Sequence, residues 1–306
     1  MRIHQTLLML TTILLVGCGR ELPVKPDPLI PLGSTPSKPV IIATFYPLVY
    51  LAGRIAGDLA EVHCPLPADA DAATWMPGDQ AIAAMQAADL VLINGASFES
   101  WTAQLNLPPT RTVDTTAILK PTLLTYDHAL EHSHGPAGEH AHEGIDGHTW
   151  LDPINLKMQA SAIHQAVLKR FPGQREAIDD RFKELMDDLD ALHRSLLSVS
   201  GDLPIIAAHP AYNYLAKRYN WNLRNLDLDP QAAPDQITLQ DLKRMLSNHP
   251  SIGILWESEP LPEIQALLKR QFGLGCYVFS PCEHAPESDY LAVMQANVEG
   301  IRNLLK

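Results

Sequence analysis

Histidine supplies 13 of the 306 residues, and six of these lie in the 21 positions from His128 to His148. Five of them, His128, His132, His134, His140 and His142, sit among Gly135, Pro136 and Gly144, with Asp127, Glu131, Glu139, Glu143 and Asp146 close by. No Lys or Arg occurs between Pro121 and Leu156. Neutral imidazole is a donor for borderline cations such as Zn2+, and carboxylates nearby raise the local cation concentration. Gly and Pro favour a loop over a rigid site, so the expectation is an accessory loop that binds metal weakly; a solvated polar loop without a role is the plain alternative. His148 and His209 are different. Each stands singly beside an apolar, regularly patterned segment, where a lone histidine is more often structural than a ligand.

For two distant histidines to act together, the fold must bring them to one place. After Val40, short apolar runs alternate with amphipathic ones. Strands are predicted at 40–43, 61–64, 90–93, 204–208, 222–226, 252–256 and 276–279. Helices are predicted between them, including 81–88, 212–219, 238–248, 261–271 and 289–305, the third opening on a cap formed by Thr238 and Asp241. This alternation implies parallel sheets built from βαβ units. It breaks once, where 154–171 and 174–200 read as consecutive helices. The second carries Ile178, Phe182, Leu185, Leu189, Leu192 and Leu196 at three- to four-residue spacing. Its length, roughly 40 Å at about 1.5 Å per residue, lets it lie across two lobes and join them.

The expected organisation is therefore an α/β lobe over 40–153, connecting helices over 154–200 and a second α/β lobe over 201–306, with the histidine-rich loop at 126–147. In parallel α/β sheets the ligand crevice lies beyond the carboxyl ends of the strands. Thr44, Asn94-Gly95, His209-Pro210, Glu257 and Ser280-Pro281 all follow predicted strands. Polar residues at these ends, from both lobes, are expected to share one cleft, and this raises His148 and His209 from structural histidines to a candidate metal pair.

The composition fits a globular chain, with 46% hydrophobic and 19% charged residues. The formal net charge of −12 argues against nucleic acid as a partner, since neutralising phosphates takes a surplus of Lys and Arg. The first 18 residues read as a leader. Their apolar run, 7–16, is too short to span a membrane, and Leu15-Val16-Gly17-Cys18 matches the bacterial lipoprotein cleavage box. Cys18 is then the lipidated N-terminus of an extracytoplasmic protein; a plain secretory signal with an incidental cysteine is the alternative. Residues 19–39 hold Pro23, Pro26, Pro28, Pro31, Pro36 and Pro39 and read as an extended tether. Cys64, Cys276 and Cys282 remain, an odd number that leaves at least one without an internal partner.

At this point the motifs resemble a known family. Thr44-Phe45-Tyr46-Pro47, then Ala88 through Gly95, Glu99-Ser100-Trp101, His148-Thr149-Trp150-Leu151-Asp152-Pro153 and His209-Pro210-Ala211-Tyr212 are similar, in order, to motifs of the metal-binding substrate-binding lipoproteins of ABC transporters, in particular the zinc-uptake subgroup. The resemblance implies two Rossmann-like lobes, a rigid helical backbone and an interlobe metal site. It also implies Zn2+ as transported ligand (Mn2+ less so), an ABC permease in the cytoplasmic membrane as partner, a lipid anchor and a monomeric protein in the bacterial cell envelope. His148 and His209 keep two of the family's four ligand positions. Ala73 stands where another histidine is expected and Ser280 where an aspartate is expected. Glu257 is placed either to ligate metal or to orient a ligand histidine, and Cys282, Glu283 or His284, with His63, Asp71 or a water, are candidates for the missing donors; His284 is the one carried forward. A metal-dependent hydrolase is the competing class, although H-E-x-x-H, G-x-S-x-G and G-x-x-x-x-G-K-[ST] are absent. A third reading is a binding protein of this fold that has lost its metal and recognises another ligand or a partner protein.

Overall fold

The computed structural model describes residues 38–126, 130–133, 139–142, 144–199, 201–202 and 204–304, with 130–133 and 139–142 described by their backbone alone. Cys18, most of the Pro-rich stretch, His128 and His134 lie outside these residues.

The first lobe contains β1 (Val40–Ala43), α1 (Tyr46–Ala56), β2 (Glu61–His63), α2 (Asp79–Ala87), β3 (Leu90–Ile93) and β4 (Thr112–Asp114). Its four strands are parallel in the order β2-β1-β3-β4. A hairpin follows, β5 (Leu130–Ser133) paired antiparallel with β6 (Glu139–His142), with His132 opposite His140 in register. Next come α3 (Pro153–Arg170) and α4 (Arg175–Leu197). The second lobe is β7 (Pro204–Ala207), α5 (Asn213–Tyr219), β8 (Asn222–Asn225), α6 (Gln236–Asn248), β9 (Gly253–Trp256), α7 (Pro262–Phe272), β10 (Gly275–Val278) and α8 (Tyr290–Leu304). Its four parallel strands run in the order β10-β9-β7-β8.

The central strands are continuous apolar runs, as parallel sheets covered on both faces require; every residue of β9, Gly-Ile-Leu-Trp, is buried. The helix starts have local causes. Asp152 caps α3 by accepting the Ile154 N–H at 2.9 Å, ahead of Pro153 in the first turn. Asp235 caps α6 by accepting the Thr238 N–H at 2.8 Å, so the cap lies upstream of the expected Thr238–Asp241 pair and the helix begins two residues earlier. Asp235 outcompetes Thr238 because its short carboxylate reaches the free N–H of the first turn from an extended backbone.

α4 has 23 residues, about 35 Å at 1.5 Å per residue, somewhat shorter than the expected helix. It buries Ile178, Leu185, Leu189, Leu192 and Leu196, while Phe182 is only partly covered. One side of α4 meets α1 and α3, and it also meets α8 of the second lobe. Arg54 of α1 donates to Asp188 at 2.7 Å, and Ser195 donates to Gln295 of α8 at 3.2 Å. The lobes consequently share one continuous core containing Ile41, Leu92, Leu189, Leu255 and Val298. Trp150 Nε1 donates to the Pro281 carbonyl at 2.8 Å, and Tyr290 OH donates to the Trp150 carbonyl at 2.8 Å, tying the lobes again beside the cleft. Among the described residues no helix is long and apolar enough to cross a membrane. Cys64, Cys276 and Cys282 are free thiols.

Candidate metal centre

Both sheets reverse their strand order at a switch point, between β1 and β3 in the first lobe and between β7 and β9 in the second. Ligand crevices form beyond the carboxyl ends of strands at such points. Thr44 and Asn94 flank the first, and His209 and Glu257 flank the second. Beyond them lies a cleft of about 670 Å³, lined from both lobes by His148, His209, Glu257 and Glu283 among others.

The first-lobe wall is a buried polar network. The Glu99 carboxylate accepts from Thr44 Oγ1 at 2.5 Å, Asn94 N–H at 2.7 Å and Gly95 N–H at 3.1 Å. Burial raises the Glu99 pKa against these bonds. Asn94 Nδ2 donates to the Gly147 carbonyl at 2.9 Å, and Gln159 Nε2 of α3 donates to Asn94 Oδ1 at 2.9 Å. Gly147 must remain glycine, because a Cβ there would fall 2.7 Å from the Phe98 side chain. The residue held in place by this packing is His148.

His148 is 2% exposed and His209 5%, and their Nε2 atoms stand 3.4 Å apart. Behind His148, its Nδ1 meets Asp146 Oδ1 at 2.9 Å. Behind His209, its Nδ1 lies 3.3 Å from Glu257 Oε2. A carboxylate accepts, so the Nδ1 proton of each neutral ring points to its carboxylate, and each Nε2 faces the other across a gap that either a shared proton or a cation fills. Zn–N bonds of about 2.0–2.1 Å at a tetrahedral angle separate two donor nitrogens by about 3.3–3.4 Å, which the observed spacing matches. Among the described residues no group of three or more His, Cys, Asp or Glu side chains is arranged to hold an ion.

Asp146 holds this arrangement together. The sequence presents it as one more acid of the loop, yet it is fully buried. Its Oδ1 also accepts the His148 backbone N–H at 3.0 Å and the Tyr126 hydroxyl at 3.0 Å. Its Oδ2 accepts Asn213 Nδ2 of the second lobe at 2.9 Å, and Tyr214 OH donates to its carbonyl at 2.8 Å. Burial lowers the His148 pKa, but the Asp146 hydrogen bond and charge, with the charges of Glu283 and Glu257, outweigh it and raise the pKa above the usual value. Thr125 forms an isolated antiparallel bridge with Ile145, next to Tyr126 and Asp146.

The other sequence candidates fall into two groups. Ala73 and Ser280 line the cleft; Ala73 has no donor atom, and Ser280 Oγ accepts the Cys282 N–H at 3.2 Å. Glu257 stands behind His209, in the orienting position rather than beside Nε2. His284 lines the cleft and is half-buried. Burial lowers its pKa, against the charges of Asp71 and Asp69 and a hydrogen bond at the Ala70 backbone, so its surroundings are the 69–71 segment. Its neighbour Glu283 is the residue whose charge reaches His148, Tyr126 and Tyr212. Cys282 has a φ of 60°, and the Glu283 carbonyl accepts the Tyr46 N–H at 3.0 Å.

Residues 41–304 match the family described as ZnuA, zinc-uptake complex component A, periplasmic. The chain belongs to this family. The zinc-binding lipoprotein AdcA of Streptococcus pneumoniae is 25% identical over 276 residues, covering 86% of this chain and 55% of AdcA. The chain thus spans about half the length of that relative. The high-affinity zinc uptake system protein ZnuA of Bacillus subtilis is 25% identical over 280 residues, covering 87% of each chain. The structure of the Bacillus subtilis metal-dependent lipoprotein YcdH superposes with a TM-score of 0.75 at 21% identity, over 87% of this chain and 99% of that one. Zn(II)-bound AdcA gives 0.73 at 22% identity, over 87% and 57%. These likenesses agree with the two-lobe α/β fold.

Proposed function

We propose that the protein is an extracytoplasmic zinc-binding protein that delivers Zn2+ to an ABC importer, a carrier and not an enzyme. The observation that carries this reading is the facing pair of His148 and His209, each backed by a carboxylate, in a cleft between the lobes. Carboxylate–imidazole–metal arrangements fix the tautomer and raise ligand basicity. The family and the names of its zinc-binding relatives support the choice of Zn2+ over Mn2+. Glu257 acts behind His209, and Glu283 is a further cleft acid whose charge acts on His148.

The remaining parts of the reading rest on the sequence. Cys18 carries the lipid, residues 19–39 tether the folded part to the membrane of the cell envelope, and the monomer presents its cleft to the permease. The histidine-rich segment with His128, His132, His134, His140 and His142 acts as an accessory loop that gathers Zn2+ weakly. The test is calorimetric titration of the purified protein with ZnSO4. His148→Ala and His209→Ala should each remove the tight equivalent. Unchanged affinity in both would contradict the assignment.

A further inference from the structure

We infer that Asn213 and Asn225 of the second lobe are positioning residues for the histidine pair, a two-amide relay that locks Asp146 and, through it, the His148 ring. This deepens the zinc reading of the same site and rests on it.

Asp146 is fully buried, and its Oδ1 is engaged by His148 and Tyr126. Its Oδ2 accepts Asn213 Nδ2 at 2.9 Å. The same Nδ2 donates to the Pro210 carbonyl at 3.1 Å, so both N–H bonds of the amide are used. Both partners are acceptors, and they leave the amide one orientation, with Nδ2 toward Asp146 and Oδ1 turned away. On that far side stands Asn225, the last residue of β8, whose Nδ2 donates to Asn213 Oδ1 at 2.9 Å. The carboxylate at one end thus sets the direction of every bond in the relay.

Asn225 bears the cost of that direction. Its Oδ1 is buried and has no hydrogen-bond partner among the described residues. Buried acceptors are mostly paired, and this one is left over because Asn213 takes the amide nitrogen. Turning the Asn225 amide over would set oxygen against oxygen and release Asn213 from its hold on Asp146.

The relay also links the two histidines. Asn213 opens α5, four residues after His209, and Asn225 pairs in register with Ala207, two residues before it. Tyr214, next along α5, donates its hydroxyl to the Asp146 carbonyl at 2.8 Å. One corner of the second lobe therefore carries His209 directly and grips His148 through Asp146.

The experiment measures zinc affinity of the full-length protein by competition with a chromophoric chelator, alongside the ring 15N signals of His148 in zinc-free protein. Asn213→Ala should lower the affinity about tenfold, the low end of what losing an outer partner of a ligand histidine costs. In an Asp146→Asn background the same change should cost less than about a further twofold, because Asn213 acts through Asp146. Asn225→Asp places an acceptor where the relay needs a donor, so Asn213 should turn its Nδ2 away from Asp146 and the affinity should fall. An added negative charge acting only through space would tighten zinc binding instead. The His148 ring signals should shift in Asn213→Ala and in Asn225→Asp. Losses that add fully in the double variant, tighter binding in Asn225→Asp, or unmoved ring signals in both variants would each overturn the inference. Wild-type protein without a tight zinc equivalent would overturn the zinc reading, and the ring signals would still decide the relay.

Discussion

The Nε2 atoms of His148 and His209, residues of different lobes, stand 3.4 Å apart with a carboxylate behind each ring. His148 comes from the segment leading into α3 and His209 from the turn after β7. An ion between them therefore joins the lobes, while the shared core and the Trp150–Pro281 contact already hold them in register. Preorganisation of this kind places the cost of assembling the pair in folding rather than in binding.

Asp146 should be the strongest positioning residue. Asp146→Asn keeps the shape of the side chain but removes the charge that orients His148 and replaces an acceptor with a donor. Zinc affinity should fall about 10- to 100-fold, the range seen when an outer partner of a ligand histidine is lost. Circular dichroism should be unchanged, and the pH midpoint of zinc release should move downward as well. A merely structural role would change the melting temperature and leave that midpoint where it was.

Acid should release zinc earlier than an ordinary imidazole predicts. Nε2 must be unprotonated to ligate, and the His148 pKa lies above its usual value because Asp146, Glu283 and Glu257 outweigh the effect of burial. Affinity should therefore begin to fall while the pH is still above about 6.5, the unperturbed histidine value, and continue to fall below it. Calorimetry across this range checks the sign; affinity that stays flat until well below pH 6 would contradict it.

Asp152 links the lobes by a separate device. It caps α3 and accepts from Arg218 Nε of the second lobe at 2.5 Å, itself 1% exposed. Asp152→Ala removes a helix cap and a charge-assisted hydrogen bond, and should cost about 2–4 kcal/mol in denaturant unfolding. Arg218 is one-third exposed, so water recovers much of what it loses in the variant.

The hairpin should gather metal without holding it tightly. His132 lies opposite His140 in register across β5 and β6. Deleting 131–143 should remove the weak zinc equivalents in dialysis and leave one tight equivalent. Loss of the tight equivalent would mean that the hairpin supplies donors to the central pair.

What the sequence made legible follows from the range of the interactions involved. β1 and β3 matched their expected bounds because continuous apolar runs declare buried parallel strands locally. β4 was missed because Thr112-Val113-Asp114 is a three-residue edge strand, only partly buried. The hairpin was hidden because its residues read as a polar loop, without the alternation of a half-buried strand. His148 and His209 were legible from their isolation beside patterned segments and from the family motif. Asp146 was not, because its burial depends on Tyr126, 20 residues away, and Asn213, 67 residues away.

X-ray absorption at the zinc edge, on protein loaded with one equivalent of Zn2+, tests the His148–His209 centre most directly. Two imidazole nitrogens should appear in a shell at about 2.0–2.1 Å in the wild type, and both that signature and the tight equivalent should be lost when His148 and His209 are replaced together by Ala. The same imidazole signature and the same affinity in that double variant would place the zinc elsewhere and contradict that prediction.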